Sequence, residues 1–145
     1  MMVAKSVPEF PDLSLLADVF KKYPRVQAVY LFGSAAGGRM HPESDLDLAL
    51  AGSPDLRAQK LDILADLART GFTEVDLVIL DKADIVLRFE AVRLNRLVYR
   101  AEGFDAGGFY SLILRQYFDF LPYLKTQREA YKQRILHDGQ SRSYS

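Results

Sequence analysis

Two aspartates separated by one residue, Asp45-Leu46-Asp47, follow the dipeptide Gly33-Ser34 after a spacer of ten residues. Residues at i and i+2 of a strand point to one face, with Cα atoms about 6.6 Å apart. Carboxylates so placed can grip a pair of hard divalent cations about 3.5–4 Å apart. Magnesium suits such a site, because it takes few carboxylates and completes its shell with water and substrate phosphate. Without a cation the two charges repel and favour protonation of one of them, so such a pair inside an apolar strand needs a reason. Asp76 opens a later apolar run, Val75-Asp76-Leu77-Val78-Ile79-Leu80. Paired strands lie about 4.8 Å apart, and in one register Asp76 completes a three-carboxylate cluster at the edge of a sheet.

Gly33-Ser34 directly follows a strand-forming run, where unpaired backbone amides suit a phosphate. Gly33 lets the backbone come close, and the Ser34 hydroxyl can donate one more hydrogen bond. Phosphates at the turn and metals on the aspartates describe a nucleoside triphosphate site. Either motif alone is common; both together, at this spacing and in strand context, are specific. A phosphate-binding P-loop overlaps the same stretch, Gly33-Ser34-Ala35-Ala36-Gly37-Gly38-Arg39-Met40. That motif needs Lys at Arg39 and Ser or Thr at Met40, and Pro42 stops a long helix from growing out of the loop, so the P-loop reading is rejected.

The elements that must position these residues alternate between helix and strand, an α/β pattern around a small sheet. Asp12 caps a first helix with Leu13, Leu16, Val19 and Phe20 on one side, and Tyr23-Pro24 stops it. Val26–Phe32 reads as a buried strand, Gly33–Pro42 as a Gly-rich connection and Ser44–Ala51 as a second strand. Ser53-Pro54-Asp55 starts a helix carrying Leu56, Leu61, Ile63, Leu64 and Leu67, which Gly71 ends. Glu74–Leu80 is a third strand. Asp81 caps a helix to about Leu94, Asn95 turns left-handed, and Arg96–Arg100 is a short strand. Phe109, Leu112, Ile113, Tyr117, Phe120, Leu121 and Leu124 recur at helical spacing, with a kink or break expected at Pro122. The expected organisation of residues 1–145 is therefore one domain: a core over about 10–100, C-terminal helices over about 104–137 and a loose tail over 138–145.

Composition excludes several classes of function. Lys and Arg number 19 and so do Asp and Glu, so no long-range pull toward DNA or an anionic membrane is expected. The chain has no cysteine, which excludes thiol chemistry and fits a reducing cytoplasm. No apolar run approaches the roughly 20 residues that span a bilayer, and the start, Met1–Pro8, lacks a signal peptide's apolar stretch. His41 and His137 are isolated and read as solvated. Tyr110, Tyr117, Tyr123 and Tyr131 read as packed or half-exposed, although tyrosine also suits a partner interface. Lys125, Arg128, Lys132 and Arg134 read as a solvated helix face.

At Gly33-Ser34, Asp45-x-Asp47 and Asp76 the sequence resembles the polymerase-β-like nucleotidyltransferase superfamily. Within it, the chain is most similar to the minimal nucleotidyltransferases, the antitoxin halves of HEPN/MNT toxin–antitoxin pairs. The likeness runs over about residues 10–138 and includes Leu87-Arg88-Phe89-Glu90, Leu97-Val98-Tyr99 and Tyr117-Phe118-Asp119. It implies the polymerase-β-like fold, an α/β small mixed sheet flanked by helices with a C-terminal helical region. It also implies transfer of AMP from the substrate ATP, with two Mg²⁺ ions, to a tyrosine hydroxyl of a cognate HEPN ribonuclease toxin held in a hetero-oligomeric complex. It further implies that Asp45 and Asp47 hold both metals. Asp76 would hold the metal that activates the attacking hydroxyl and serve as its base, while Gly33 and Ser34 hold the β- and γ-phosphates. Many relatives carry arginines in the turn where this chain has Ala35 and Gly37, with Arg39 displaced toward the aspartates. That departure keeps open one alternative, silencing of the toxin by occlusion alone. A further alternative is transfer to a small-molecule hydroxyl, against which stands the short C-terminal stretch left to build an acceptor pocket.

Overall fold

A computed structural model describes residues 12–33 and 46–142. Ser34, Ala35, Gly37, Arg39, His41 and Asp45 lie outside the described residues, as does most of the Gly-rich connection. The elements in chain order are α1 (Leu15–Phe20), β1 (Val26–Phe32), β2 (Leu46–Gly52), α2 (Leu56–Arg69), β3 (Val75–Ile79), α3 (Ile85–Val92), β4 (Leu97–Arg100) and α4 (Ala106–Arg142). A short 3-10 turn, Leu80–Lys82, joins β3 to α3. The sheet order is β3-β2-β1-β4. β1 runs antiparallel to both β2 and β4, and β3 runs parallel to β2, so the sheet is mixed as the resemblance implies.

The two-residue period of the strands sorts their side chains into two cores. Val29 and Leu31 of β1, Leu46, Leu48 and Leu50 of β2, and Leu77 and Ile79 of β3 face α1 and α2, where Leu16, Val19, Phe20, Ile63 and Leu67 complete a buried cluster. Each fully buried Leu or Ile here contributes about 1.5–3 kcal/mol relative to exposure. The opposite face carries Ala28, Tyr30, Ala49 and Ala51, packed against Ala91 and Val92 of α3 and Ile113 of α4. Asp47 and Asp76 fall, by alternation, on this second face.

A polar clamp ties α1 to α2. Tyr23 donates to Asp66, which also pairs with Lys22 at 3.6 Å and with Arg69 at 2.7 Å. The Tyr23 hydrogen bond, aided by Lys22 and Arg69 against some desolvation, holds the Asp66 carboxyl below its usual range. Burial first, and then the Asp66 carboxylate, push Tyr23 up to about 12.

Three local expectations need correction. Asp81 does not cap the helix after β3, because buried Leu80 leads the chain into a 3-10 turn first. The cap is Asp84, whose Oδ1 accepts from the Leu87 amide at 2.9 Å. At the start of α1 the Asp12 carboxylate accepts from Ser14 at 3.0 Å, and Ser14 rather than Asp12 occupies the cap position. Pro122 neither breaks nor ends α4, which runs unbroken through Arg142, past the tail expected from Asp138. Proline keeps a helix-compatible φ, and Pro122 is exposed, so the carbonyl it leaves unbonded can turn to water. Residues Lys125–His137 are exposed without exception, in line with the solvated basic face expected there. Gly71, at φ +110°, follows the end of α2 as expected, and Asn95 at φ +54° makes the left-handed turn expected of it.

Candidate functional site

β2 and β3 are paired so that Asp47 lies directly opposite Asp76. This is the register in which the two carboxylates share one face and one rim of the sheet. On its other side Asp47 lies opposite Phe32, the last residue of β1. Asp47 is half-buried and Asp76 exposed.

Gly33 follows Phe32 and turns the chain with φ +72°. A Cβ added there would lie 2.1 Å from Oδ2 of Asp47 and 3.1 Å from its Cγ. Glycine is thus required twice: for the left-handed backbone, and because the Asp47 carboxylate rests against the space a side chain would fill. The sequence marks Gly33 for close backbone approach to a phosphate; the partner seen at that Cα is the carboxylate of Asp47. Ser34 and Asp45, the remaining members of the expected constellation, lie outside the described residues. Among the described residues, no group of three or more His, Cys, Asp or Glu side chains is gathered as a metal site. The donors on hand nevertheless fit magnesium: Asp47 and Asp76 are in-register, hard-oxygen donors on one face.

Behind this rim, two residues along β1, Tyr30 lies opposite Ala49. Its ring stacks on Phe109 with centroids 6.1 Å apart, and its hydroxyl is buried with no hydrogen-bond partner among the described residues. Burial alone pushes that phenol up to about 12. Of the α4 tyrosines, Tyr110 donates to the Arg93 carbonyl at 3.1 Å and Tyr117 stacks on Phe89 at 3.8 Å, so both pack α4 onto α3. Tyr123 and Tyr131 are exposed, as is His137.

One feature beside Asp76 escapes sequence reasoning. A groove of about 590 Å³ runs along β3 from Asp76 to Ile79, with Arg57 and Lys60 of α2 on one bank and Lys82, Ala83 and Leu87 on the other. Arg57 and Lys60 are one turn apart, which is a readable signal; Lys82 joins them only through the fold.

The family model for Polymerase beta, Nucleotidyltransferase matches residues 15–103, more than half of the chain. The protein adenylyltransferase MntA of Shewanella oneidensis is 31% identical over 83 residues, which cover 57% of this chain and 60% of that protein. The chain therefore aligns with less than two thirds of this curated relative's length. Among solved structures, one of a toxin–antitoxin with AMP-PNP matches with a TM-score of 0.68 and 24% identity, over 86% of this chain and 98% of that one. A tri-AMPylated Shewanella oneidensis HEPN toxin in complex with MNT antitoxin matches with a TM-score of 0.59 and 23% identity, over 86% and 99% of the two chains. At these identities the structural likeness is one of fold. The matched domain contains the paired aspartates, the glycine turn and the mixed sheet that carries them, and the chain belongs to the polymerase beta nucleotidyltransferase family.

Proposed function

We propose that this protein is a Mg²⁺-dependent nucleotidyltransferase antitoxin. It moves AMP from ATP to a tyrosine hydroxyl of a cognate HEPN ribonuclease toxin and so silences it, within a complex of the two proteins in the cytoplasm. The observation that carries the reading is the in-register pair Asp47 and Asp76 at one rim, with Gly33 closed onto the Asp47 carboxylate. The likeness to the adenylyltransferase MntA and to the HEPN–MNT complex supports the choice of AMP and of toxin.

In this mechanism Gly33 and Ser34 orient the β- and γ-phosphates, Asp45 and Asp47 would hold both metals, and Asp76 would hold the one on the acceptor side. Magnesium, when bound, supplies charge neutralisation along the triphosphate and polarises the attacking hydroxyl. The acceptor oxygen attacks the α-phosphorus as the bond from that phosphorus to the β-bridging oxygen breaks. Pyrophosphate leaves, and the hydroxyl proton passes to the Asp76 carboxylate. An in-line transfer of this kind depends mainly on positioning and on charge, which is what a rigid three-strand rim provides.

The test is to incubate the pure protein with α-labelled ATP, Mg²⁺ and the toxin, and to read the intact mass of the toxin. Mass added in AMP units, lost with EDTA and lost in Asp47→Ala while circular dichroism stays native, is the expected result. Toxin silenced with no added mass refutes transfer and leaves occlusion.

A further inference from the structure

β3 is an outer strand of the sheet, and among the described residues no strand pairs with its far edge. The Glu74 carbonyl accepts from the Leu46 amide at 2.8 Å, so residue 74 directs its backbone groups toward β2. By the alternation of a strand, the outward N–H and C=O groups belong to Val75, Leu77 and Ile79. Such an edge is a ready template for another strand unless it is blunted. Here it lies at the floor of the groove that ends at Asp76.

The charge of that groove is one-sided. Arg57, Lys60 and Lys82 line it against a single carboxylate, Asp76. None of the three cations forms an ion pair among the described residues. One exposed apolar side chain, Leu87, adds to the banks. An exposed Leu beside unpaired cations and an open strand edge matches the way extended peptides are held, by main-chain bonds for affinity and flanking side chains for selectivity.

We propose that the β3 groove receives an extended, acidic segment of the protein acceptor, which adds to the sheet beside β3 and delivers its hydroxyl to Asp76. This rests on the reading of the protein as a transferase acting on a toxin. Carboxylates on the incoming segment pair with Arg57, Lys60 and Lys82, while its backbone bonds to Leu77 and Ile79. The groove thus selects the protein that is modified, and the rim carries out the transfer.

The experiment has two arms. In the first, the triple variant Arg57→Glu/Lys60→Glu/Lys82→Glu is assayed for AMP transfer to the toxin. The expected result is a KM for toxin raised about tenfold or more with kcat changed by less than about twofold, because charges at an interface act on encounter and docking. Should the triple variant misfold by circular dichroism, Lys60→Glu alone replaces it. In the second arm, hydrogen exchange of the wild-type protein is followed with and without toxin, and the amides of Leu77 and Ile79 are expected to slow about tenfold or more in the complex. An unchanged KM overturns the proposal, and so do unprotected edge amides; the cations then serve only to guard the edge against self-pairing. Wild-type protein that binds toxin yet adds no AMP refutes the transferase reading instead, and the exchange arm still decides where the toxin docks.

Discussion

Gly33→Ala separates two costs that glycine hides. The first is conformational: at φ +72° a β-carbon strains the backbone by about 1–2 kcal/mol. The second is steric, since the new Cβ would lie 2.1 Å from Oδ2 of Asp47. The Asp47 backbone is fixed between β1 and β3, so the side chain must swing away. Because the colliding atom is the far end of a rotatable side chain, the swing costs little stability but moves the carboxylate by an ångström or more from where it must act. A displacement of about 1 Å is enough to lower catalysis about 100-fold. Gly103→Ala is the control: φ is +89° there, yet an added Cβ meets nothing within 4 Å. Both variants should lose about 2–8 °C of Tm, the range for about 1–2 kcal/mol in a chain of this size. Only Gly33→Ala should lose transfer of labelled AMP, by about 100-fold at a temperature where both are folded. Equal activity in the two variants would refute the claim that Gly33 exists to seat Asp47.

Tyr30→Phe removes a buried hydroxyl that has no partner among the described residues, so it should stabilise the protein by about 1 kcal/mol, read as a higher urea midpoint. The same change should reduce alkaline unfolding. Tyr30 and Tyr23 both titrate near 12 in the folded chain against 10.0 in the unfolded one, so the unfolded state loses its protons first and stability falls as pH rises from about 10 to about 12. Asp66 acts at the acid end. Its folded pKa is depressed, so the stabilisation is complete above the unfolded value of 3.8 and is lost as pH falls through the folded one. Asp66→Asn should flatten that acid limb in urea titrations; an unchanged limb would show that the clamp to Tyr23, Lys22 and Arg69 contributes nothing.

The strands and the rim were legible because their signals are local. Val26–Phe32 is a run of β-formers between breakers, and the period of two alone places Asp47 on the face opposite Leu46 and Leu48. The pairing of Asp47 with Asp76 needed only one of the few registers open to a parallel neighbour. Caps were harder. Asp81 and Asp84 are both good cap residues three apart, and the choice was made by Leu80, whose burial commits the chain to an extra turn. The cationic groove could not be read, since Lys82 meets Arg57 and Lys60 only across the sheet edge. Pro122 misled for a related reason: a proline's penalty depends on whether its orphaned carbonyl is wet, and solvent exposure is a tertiary fact.

That same proline has a mechanical meaning. Helix α4 has 37 residues and measures about 55 Å at the ordinary rise. Pro122 supplies no amide to the Phe118 carbonyl, so one rung of the ladder is absent close to where the rod leaves the body of the molecule. Stiffness is lowest at a missing rung. A load on the distal arm bends the rod there before it reaches Ile113, Tyr30 or the strands beneath them. The long arm can be pulled or bound while the sheet that carries Asp47 and Asp76 stays still.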